Sequence, residues 1–380
     1  MLYLDHNASS PARPEVIEAM KKALNMSGNA SAPHGAGRAA HKLISAAREA
    51  VSLAMGVCTQ DLIFTGSGTE SINTAIGSAV KFGCKRLYIS ALDHPASILM
   101  AQESGADVEI IPALPTGLLD LSWLLAALTK HDIAKDGRPF VSVAIANSEM
   151  GVLQDVARIV DMVQDTNALL LFDAVQALGK IPLSAVALAD YVAVSAHKIG
   201  GPQGVGALYS ASNAPFTSMM IGGGQEKRKR AGTLNIAGIA GFGAAAKVAE
   251  GLENTRAIRD EIEAGLKMME PTITIFGEAA PRLPNTLFFA LPDKASSTLM
   301  MGLDLEGICV STGLACSSGK VGASRAVTAM NLASKAPKGA IRISLGYTSK
   351  PQDAEKFLRT WAKIRRITYA VSPIKEPPNG

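Results

Sequence analysis

Charged side chains are scarce in this chain of 380 residues, where Asp, Glu, Lys and Arg together make up 18%. One explanation for such a surface is a large subunit interface that removes part of it from water. The net charge of +4 is too small, over this length, to indicate nucleic-acid binding. The only dense basic run, Lys227 to Arg230, is short enough to be a solvated loop. The sequence therefore predicts no nucleic-acid partner.

Cysteine is also scarce, and its spacing excludes two common structural uses. The four cysteines contain no pair separated by two residues and have no histidine at zinc-finger spacing. A structural zinc site and a disulfide framework are therefore excluded, and unpaired thiols fit a reducing compartment. We expect no metal to be bound by this chain alone.

Long hydrophobic runs are absent as well. The first residues lack both the basic and the apolar parts of a signal peptide. The most apolar later stretch, Ile236 to Ala246, is too short to span a bilayer and predicts a buried helix. A cytoplasmic protein with no membrane partner is the expectation.

What the chain does have, over its first two thirds, is an alternation of helix and strand signals. Helices are predicted at Arg13–Leu24, Gly37–Met55 and Thr69–Phe82. Short runs rich in β-branched residues predict buried strands between them, and the intervening stretches are long enough for crossover helices. This pattern favours a mostly parallel, doubly wound sheet. The predicted strands are Leu87–Ser90, Val108–Ile111, Phe140–Ala146, Ala168–Phe172, Tyr191–Val194 and Val205–Tyr209.

The rhythm changes after Glu253. A charged helix at Asn254–Met269 precedes strand-like runs at Thr286–Ala290, Gly307–Val310 and Ala340–Leu345. We therefore predict an α/β protein of two domains. The large domain covers residues 16–253, and the small α/β domain combines residues 1–15 with 254–380.

Polar side chains follow three of the predicted strands. Asn147-Ser148-Glu149 follow the strand that ends at Ala146. Asp173 to Gln176 follow the strand that ends at Phe172, and Ser195 to Lys198 follow the strand that ends at Val194. Ligands of open α/β sheets bind outside the carboxyl ends of the strands. An amide, a carboxylate and an ammonium group are thus expected at one sheet edge, although strand ends are often polar simply because loops are solvated.

Asp173 and Lys198 admit two interpretations. They lie one strand–helix–strand unit apart and could form a structural ion pair. Alternatively, they match a requirement of pyridoxal-phosphate chemistry, in which a lysine forms a Schiff base and an acid keeps the pyridine nitrogen protonated. Ser195 and His197, which flank the lysine, could then contact the phosphate. We favour the second interpretation.

The turn from Gly66 to Thr69 supplies a possible anion site, because small residues before a helix expose backbone N–H groups. It lacks the Lys-Ser/Thr ending of an ATP-binding loop. The glycine-rich stretch Gly200–Gly206 leads into a strand, so it fails the dinucleotide pattern. A phosphate outside a nucleotide fits better, although most such turns are merely tight.

Cys316 lies among small residues, from Ser311 to Gly319, in the setting of a mobile loop. A free thiol has a pKa of roughly 8.5, so an exposed one carries a usable thiolate fraction near neutral pH. An ordinary surface cysteine is the alternative. Cys309, inside an apolar run, is expected to be a buried small hydrophobe.

The ordered set of motifs resembles the cysteine desulfurases of the class V aminotransferase superfamily, in the branch that supplies iron–sulfur cluster assembly and nitrogen fixation. The resemblance covers nearly the whole chain. Besides the segments already named, it includes Tyr3–Ala8, Gly28–Arg38, Phe64–Ser71, Asp93–Ala96, Asn147–Gly151, Gly222–Thr233 and Ile341–Gly346.

The resemblance implies a pyridoxal-phosphate-dependent transferase fold of type I, with a large seven-stranded-type sheet and a small domain that carries the catalytic cysteine loop. It implies removal of sulfur from L-cysteine, which gives L-alanine and a persulfide on Cys316. That persulfide would pass to an acceptor or iron–sulfur scaffold protein, and Cys316 could bind an iron–sulfur cluster transiently. A homodimer is also implied.

The resemblance assigns a role to each site residue. Lys198, Cys316 and His94 are catalytic, and His94 also stacks on the ring. Asn29 and Arg342 orient the substrate carboxylate, the arginine as a bidentate fork. Thr233 reaches the phosphate from a second subunit. The cofactor-binding set is Gly68, Thr69, His94, Asn147, Ser148, Asp173, Gln176, Ser195, His197, Lys198 and Thr233.

Some alternatives remain open at this point. The family usually has paired asparagines where this chain has Asn147-Ser148, so either Gln176 or that pair could contact the ring oxygen. A selenocysteine lyase or an aminotransferase would use the same scaffold, but an aminotransferase has no need of a thiol at Cys316. A regulator that binds the cofactor without turnover is disfavoured by the intact Lys198, Asp173 and Arg342.

Overall fold

The computed structural model describes residues 1–183, 185–249, 251–313 and 324–367. The segment that contains Cys316 lies outside these residues. The described strands form three sheets, and the described helices cover both faces of the largest one. No helix in these ranges is both long and apolar enough to cross a membrane.

The largest sheet has seven strands, and it matches the predicted fold class of α/β with a mostly parallel sheet. Its order is β2-β8-β7-β6-β5-β3-β4, and β8 alone runs antiparallel to its neighbours. The strands in chain order are β1 Leu2–Tyr3, β2 Leu62–Thr65, β3 Arg86–Ser90, β4 Asp107–Ile111, β5 Phe140–Ala144, β6 Leu169–Asp173, β7 Tyr191–Ser195, β8 Gly206–Ser210, β9 Thr274–Ile275, β10 Thr286–Ala290, β11 Ile308–Cys309, β12 Ser311–Thr312 and β13 Ile341–Ser344.

Half of the described α-helices begin at a residue whose side-chain oxygen satisfies a free backbone N–H group. Ser67, for example, accepts a hydrogen bond from Glu70 N at 3.1 Å at the start of the third helix. The helices are α1 Pro14–Leu24, α2 Gly35–Met55, α3 Gly68–Lys81, α4 Pro95–Glu103, α5 Leu121–Thr129, α6 Ile133–Asp136, α7 Val156–Asp165, α8 Ile236–Val248, α9 Arg256–Met269, α10 Ser296–Leu305, α11 Arg325–Ala329 and α12 Gln352–Arg365.

The predicted elements are confirmed to within a few residues, with three corrections. Strand β2 was not predicted, because its four residues run directly into the glycine turn. Strand β4 is half-exposed rather than buried, because it forms the edge of the sheet. The run Gly307–Val310 supplies only β11, and Cys309 within it is partly exposed rather than buried, because β11 pairs with β1 alone in a two-stranded sheet.

The buried predicted helix at 236–246 is confirmed as α8, whose glycines and alanines let neighbouring helices approach closely. A Cβ atom added to Gly243 would lie 2.6 Å from Ala47 in α2, which is too close for any larger side chain. The same face of the sheet is covered by α1 and α7, while α3 and α4 cover the other. Strands β5 to β7, enclosed by helices on both faces, are completely buried.

A separate hydrophobic cluster lies around a four-stranded antiparallel sheet with the order β12-β13-β10-β9. The N-terminal segment joins this cluster through Leu2 and Leu4. Strand β1 pairs in parallel with β11, and Asp5 forms a bridge to Ser344. These contacts direct residues 5–8 across to the carboxyl ends of the large sheet.

Candidate active site

The carboxyl ends of β5, β6 and β7, which are neighbours in the large sheet, open into a cavity of about 350 Å³. The sequence predicted that the polar residues after these strands converge, and the topology brings them together. The cavity is lined by Asn7, Ala8, Ser67, Gly68, Thr69, Ile72, Leu92, His94, Ala144, Ala146, Ser148, Asp173, Val175, Gln176, Ser195, His197, Lys198 and Arg342.

Lys198 lies in a single 3₁₀ turn, Ala196–Ile199, between β7 and β8. The turn ends at Gly200, whose φ of +79° is the left-handed conformation that favours glycine. The Lys198 Nζ atom donates hydrogen bonds to Asn7 O at 2.8 Å and to Ala8 O at 2.9 Å. Backbone carbonyls from the N-terminal segment therefore hold the amine inside the cavity.

Asp173 is the last residue of β6 and is buried. Its Oδ1 atom accepts a hydrogen bond from Val175 N at 2.9 Å. Burial raises the pKa of the carboxyl to about 6, while this hydrogen bond and the nearby Lys198 oppose the shift. The carboxyl is therefore ionised at neutral pH, although burial destabilises its charge. A cationic ligand group beside it would offset that loss of free energy.

His94 lies at the start of α4, where Pro95 is suited to the first helical position. Its Nδ1 atom accepts a hydrogen bond from Ala96 N at 3.1 Å, which leaves the proton of the neutral ring on Nε2. Burial, followed by the charges of Lys198 and Arg325, lowers the pKa of His94 to about 4. The ring is therefore neutral at physiological pH.

Asp93 fixes the residue before His94 to strand β5. Its carboxylate accepts hydrogen bonds from Ser142 Oγ and from Ala144 N, both at 2.7 Å. Burial raises the pKa of this carboxyl to about 7. Strand β5 thus fixes the position of His94 through its hydrogen bonds to Asp93.

One end of the cavity has the composition of an anion site. The hydrogen bonds of the described residues leave the N–H groups of Gly68 and Thr69, in the first turn of α3, without a protein acceptor. A Cβ atom at Gly68 would lie 2.7 Å from Val175 Cγ2, so only glycine allows the helix to start this close to β6. Ser195 and His197 line the same cavity, and His197 Nδ1 lies 3.3 Å from Ser9 Oγ.

Arg342, in the middle of β13, reaches the cavity from the smaller sheet. Its Nη1 atom donates to Ser148 O at 2.9 Å, and its Nη2 atom donates to Asp5 Oδ1 at 2.7 Å. Within the described part of the chain, its buried Nε atom has no hydrogen-bond partner. A buried donor without a partner costs free energy, so it identifies a place for a ligand acceptor.

Gln176 and Ser148 line the cavity, whereas the structure does not bring Asn147 into it. The Asn147 side chain is engaged by backbone groups instead: Nδ2 donates to Leu92 O, and Oδ1 accepts from the N–H groups of Glu149 and Met150. Its amide therefore shapes the turn after β5. Of the two alternatives for the ring-oxygen contact, the geometry favours Gln176 over this asparagine.

Asn29 and Thr233 are exposed and lie outside the cavity of their own chain, beside one another in a shallow depression. Arg230 is bound to Glu70 of the same chain, with 2.9 Å between Nε and Oε1. The loop from 222 to 233 thus contacts Glu70, next to the turn from Gly66 to Thr69, but contributes no residue to the cavity.

The ends of the segment that carries Cys316 meet at Glu149. Ser324 Oγ donates a hydrogen bond to Glu149 Oε2, and a Cβ atom at Gly313 would lie 3.0 Å from the same oxygen. Glu149 directly follows Ser148, whose carbonyl binds Arg342. Cys316 itself lies outside the described residues, but its segment starts and finishes at the arginine side of the cavity.

Comparison with known proteins identifies this arrangement. The sequence model of the family described as "Aminotransferase class-V" matches residues 2–357. A cysteine desulfurase of Cereibacter sphaeroides is 36% identical over 98% of this chain and 97% of its own. The chain belongs to the class-V aminotransferases and is a cysteine desulfurase.

Two further similarities support the assignment. A protein of Dictyoglomus turgidum named cysteine desulfurase IscS is 34% identical over 99% of this chain and 97% of its own length. The X-ray structure of a NifS-like protein from Rickettsia africae superposes with a TM-score of 0.88, at 34% identity over 97% of this chain and all of the other. The predicted fold class, activity and cofactor are confirmed, since this family of desulfurases depends on pyridoxal phosphate.

The cavity of this desulfurase fits that cofactor. It offers an amine for an aldehyde, a buried carboxylate for a pyridinium nitrogen, and free N–H groups for a phosphate. All three groups line one cavity, so a single bound molecule can contact them together.

Sequence reasoning missed three residues that support the site. Asn7 was noted only as part of an opening motif, yet its carbonyl holds Lys198. Asp5 binds Arg342, and Lys180 lies buried behind Gln176. The last had a signal in the sequence, because it is a lone charge in the otherwise apolar run from Ala177 to Ile181.

Proposed function

We propose that the desulfurase uses Lys198 to carry pyridoxal phosphate and Cys316 to accept the sulfur of L-cysteine. The observation that carries the proposal is the single cavity in which Lys198, Asp173, His94 and Arg342 converge. When bound, the cofactor supplies an aldehyde for the lysine and a ring that accepts electrons from the substrate.

The chain's own residues divide the remaining work. Asp173 keeps the pyridine nitrogen protonated, and the neutral ring of His94 stacks against the cofactor. Gly68, Thr69, Ser195 and His197 bind the phosphate, while Gln176 and Ser148 face the ring oxygen. Lys198 Nζ would act as the base that moves a proton from the substrate Cα and returns one later.

Arg342 binds the substrate carboxylate. Its unpartnered Nε and the Nη2 atom now on Asp5 lie on one edge of a planar guanidinium, which matches a carboxylate with two parallel hydrogen bonds. Asn29 is proposed as a second contact to that carboxylate. Because its side chain is exposed in the structure, this contact requires closure over the substrate.

The sulfur transfer balances without an external redox reagent. The Cβ–S bond of cysteine breaks, and an S–S bond to Cys316 forms. The bonding electron pair remains with the carbon skeleton, which takes up a proton to give the methyl group of alanine. The substrate sulfur is oxidised to the persulfide level, and the carbon is reduced.

We further propose a homodimer in which Thr233 reaches the phosphate of the partner subunit. In support, Thr233 is exposed beside Asn29 and outside its own cavity, and Met219, Met220 and Ile221 in the preceding segment are exposed apolar residues. A second copy would bury them. The separate cluster around the small sheet likewise supports a large domain of residues 16–253 and a small domain of 1–15 with 254–380.

The proposed destination of the sulfur is iron–sulfur cluster assembly, through an acceptor or scaffold protein in the cytoplasm. The names of two similar proteins, IscS and NifS-like, support this proposal. A persulfide or transient cluster on Cys316 would be the transferred form.

Replacement of Cys316 by alanine tests the central step. The Cys316→Ala protein should keep the visible absorbance of the Lys198-bound cofactor but lose sulfide release from cysteine in the presence of a reductant. Cys58, an exposed thiol, supplies the matched control, and Cys58→Ala should retain full activity. Undiminished sulfide release by the Cys316 variant would contradict its proposed role.

A further inference from the structure

Lys180 is a buried amine for which the proposed mechanism has no use. Lys180 is only 2% exposed, and it lies behind the residues that line the cavity rather than among them. The Nζ atom donates hydrogen bonds to Asn7 Oδ1 at 2.7 Å and to Gln176 Oε1. Both acceptors are neutral amide oxygens. The charged groups that act on it most, Lys198 and Arg342, are themselves cations, so ion pairing does not explain its presence.

The hydrogen bond from Lys180 restricts the orientation of the Gln176 amide group. An amide side chain can turn end for end and exchange its oxygen with its nitrogen in the same space. With Lys180 beside it, the reversed amide would set an NH₂ group against the N–H groups of the lysine. The observed orientation is therefore enforced: Oε1 faces Lys180, and Nε2 donates to Asn7 O at 2.9 Å.

Asn7 is held by the same amine. Its Oδ1 atom accepts from Lys180 and from Asn285 Nδ2, and its Nδ2 atom donates to Thr286 Oγ1 at 2.9 Å. The carbonyl of Asn7 then accepts from both Gln176 and Lys198. One buried lysine thus determines the directions of two amides that line the cavity.

We propose that Lys180 is a positioning residue that locks Gln176 with its N–H side, rather than its oxygen, available to the ring oxygen of the cofactor. This inference rests on the proposed function, in which Gln176 faces that oxygen. The nitrogen of Gln176 has a second N–H group beyond the one given to Asn7, and it is the group that the locked amide can offer.

The lock is strongest when the amine carries its proton, because an ammonium group has three N–H groups and no lone pair that could accept from a reversed amide. Burial, followed by the charges of Lys198 and Arg342, lowers the pKa of Lys180 well below its ordinary value. The remaining charged or titratable groups near it, His6 and His197, also have lowered pKa values and are neutral. A neutral amine keeps two N–H groups for the two amide oxygens, but its lone pair can also accept a hydrogen bond from a reversed amide, so the lock weakens when the amine loses its proton.

The expected consequence is a shift in the proton affinity of the cofactor linkage. An N–H donor stabilises the ring oxygen as an anion, so the proton that this oxygen shares with the linkage nitrogen is bound less tightly. Without Lys180 the amide can present its oxygen instead, which repels the anion. Loss of the lock should therefore raise the pH at which the linkage loses its proton.

The test uses the full-length protein loaded with pyridoxal phosphate and a pH titration of its visible absorbance, which needs no turnover. In Lys180→Met the midpoint should rise by about one pH unit, the size expected for one hydrogen bond to a charged group. Lys180→Arg keeps the donors and should stay near the wild-type midpoint. An unshifted midpoint in Lys180→Met would overturn the proposal.

A double-mutant cycle separates orientation from other effects. Gln176→Met should raise the midpoint by itself, and addition of Lys180→Met to that background should cause little further shift. A full further shift would show that Lys180 does not act through Gln176, which also overturns the proposal.

Two features keep the outcomes distinct. If Lys180→Met does not fold, Lys180→Gln carries the test, because its shorter amide can serve only one of the two oxygens. A rise in the midpoint of that variant supports the role, and an unchanged midpoint refutes it. Absence of the visible band in the wild-type protein would refute the proposed function, whereas an intact but unshifted band refutes only the role of Lys180.

Discussion

Asp5 Oδ1 lies 2.7 Å from Arg342 Nη2, so the guanidinium in the cavity is already held by a carboxylate of the N-terminal segment. Both side chains are largely buried. Because Ser148 O takes a second edge of the same group, the arginine is fixed in orientation before any substrate arrives. The substrate binding that we propose for Arg342 would then need little side-chain ordering, which is a saving in conformational entropy.

Substitutions at this pair should affect substrate binding more than cofactor binding. Arg342→Lys loses the planar fork, so the KM for cysteine should rise by about 10- to 100-fold, as expected for one or two charge-assisted hydrogen bonds. Asp5→Asn keeps a neutral acceptor and should raise KM by less. Steady-state kinetics with the visible absorbance as a control measures both. An unchanged KM in Arg342→Lys would contradict the carboxylate role.

Asp173 should lower the free energy of unfolding of the cofactor-free protein at neutral pH. Its folded pKa of about 6 lies above the ordinary value of 3.8, so the folded state binds more protons than the unfolded state between these values. Stability from this group is therefore greatest below about pH 4 and falls as the pH rises to about 6. Asp173→Asn should remove that penalty, which is about 2–3 kcal/mol.

Urea unfolding of the cofactor-free proteins at several pH values tests this. Asp173→Asn should be more stable than the wild type at pH 8, and the difference should disappear near pH 4. The same variant should bind pyridoxal phosphate weakly, since the ring nitrogen loses its anionic partner. A variant that is less stable at pH 8 would show that the carboxylate is not held at a cost.

A partly buried ion pair, between Arg48 and Glu226, secures the loop that carries Thr233. Glu226, Lys227 and Arg228 all have positive φ values, which non-glycine residues rarely adopt. Glu226 holds this turn in place: its carboxylate is bound by Arg48 through two hydrogen bonds, at 2.8 and 2.5 Å, and by Phe64 N at 2.9 Å. The strained turn persists because these contacts determine it.

Removal of Glu226 should therefore loosen the loop. Glu226→Gln should lower the free energy of unfolding by about 3 kcal/mol, because Arg48 is left without its charged partner. Weaker retention of the cofactor should follow if Thr233 contacts the phosphate of the partner subunit. Glu253→Gln, in an exposed pair with Arg256, is the matched control and should leave both stability and cofactor retention unchanged.

The sequence predicted the central strands well and the edges of the sheet poorly. Strands β5 to β7 are short apolar runs bounded by polar residues, so composition and period alone identify them. Strand β2 is just as apolar, but only its pairing with β8 distinguishes it from the turn that follows. The exposure of β4 depends on its place at the edge, which is a property of the sheet rather than of the segment.

For the site, the sequence identified groups that act through their own chemistry. Lys198, Asp173 and Arg342 carry charge at strand ends or inside strands, where a charge is unusual. Asn7 contributes its backbone carbonyl, and any residue carries one, so its use could not be predicted from its identity. Asn147 looked like a ligand because of its place in a motif, but its amide serves the turn.

The route of the N-terminal segment has a consequence for how the protein is made. Residues 2–8 include Asn7 and Ala8, whose carbonyls hold Lys198, and they are placed by β11 and by Ser344, which lie far along the chain. During translation the lysine and its strand emerge long before those partners exist. The growing chain therefore contains the amine and the carbonyls of Asn7 and Ala8 before any contact holds them together, and their arrangement must wait for the strand that carries Ser344.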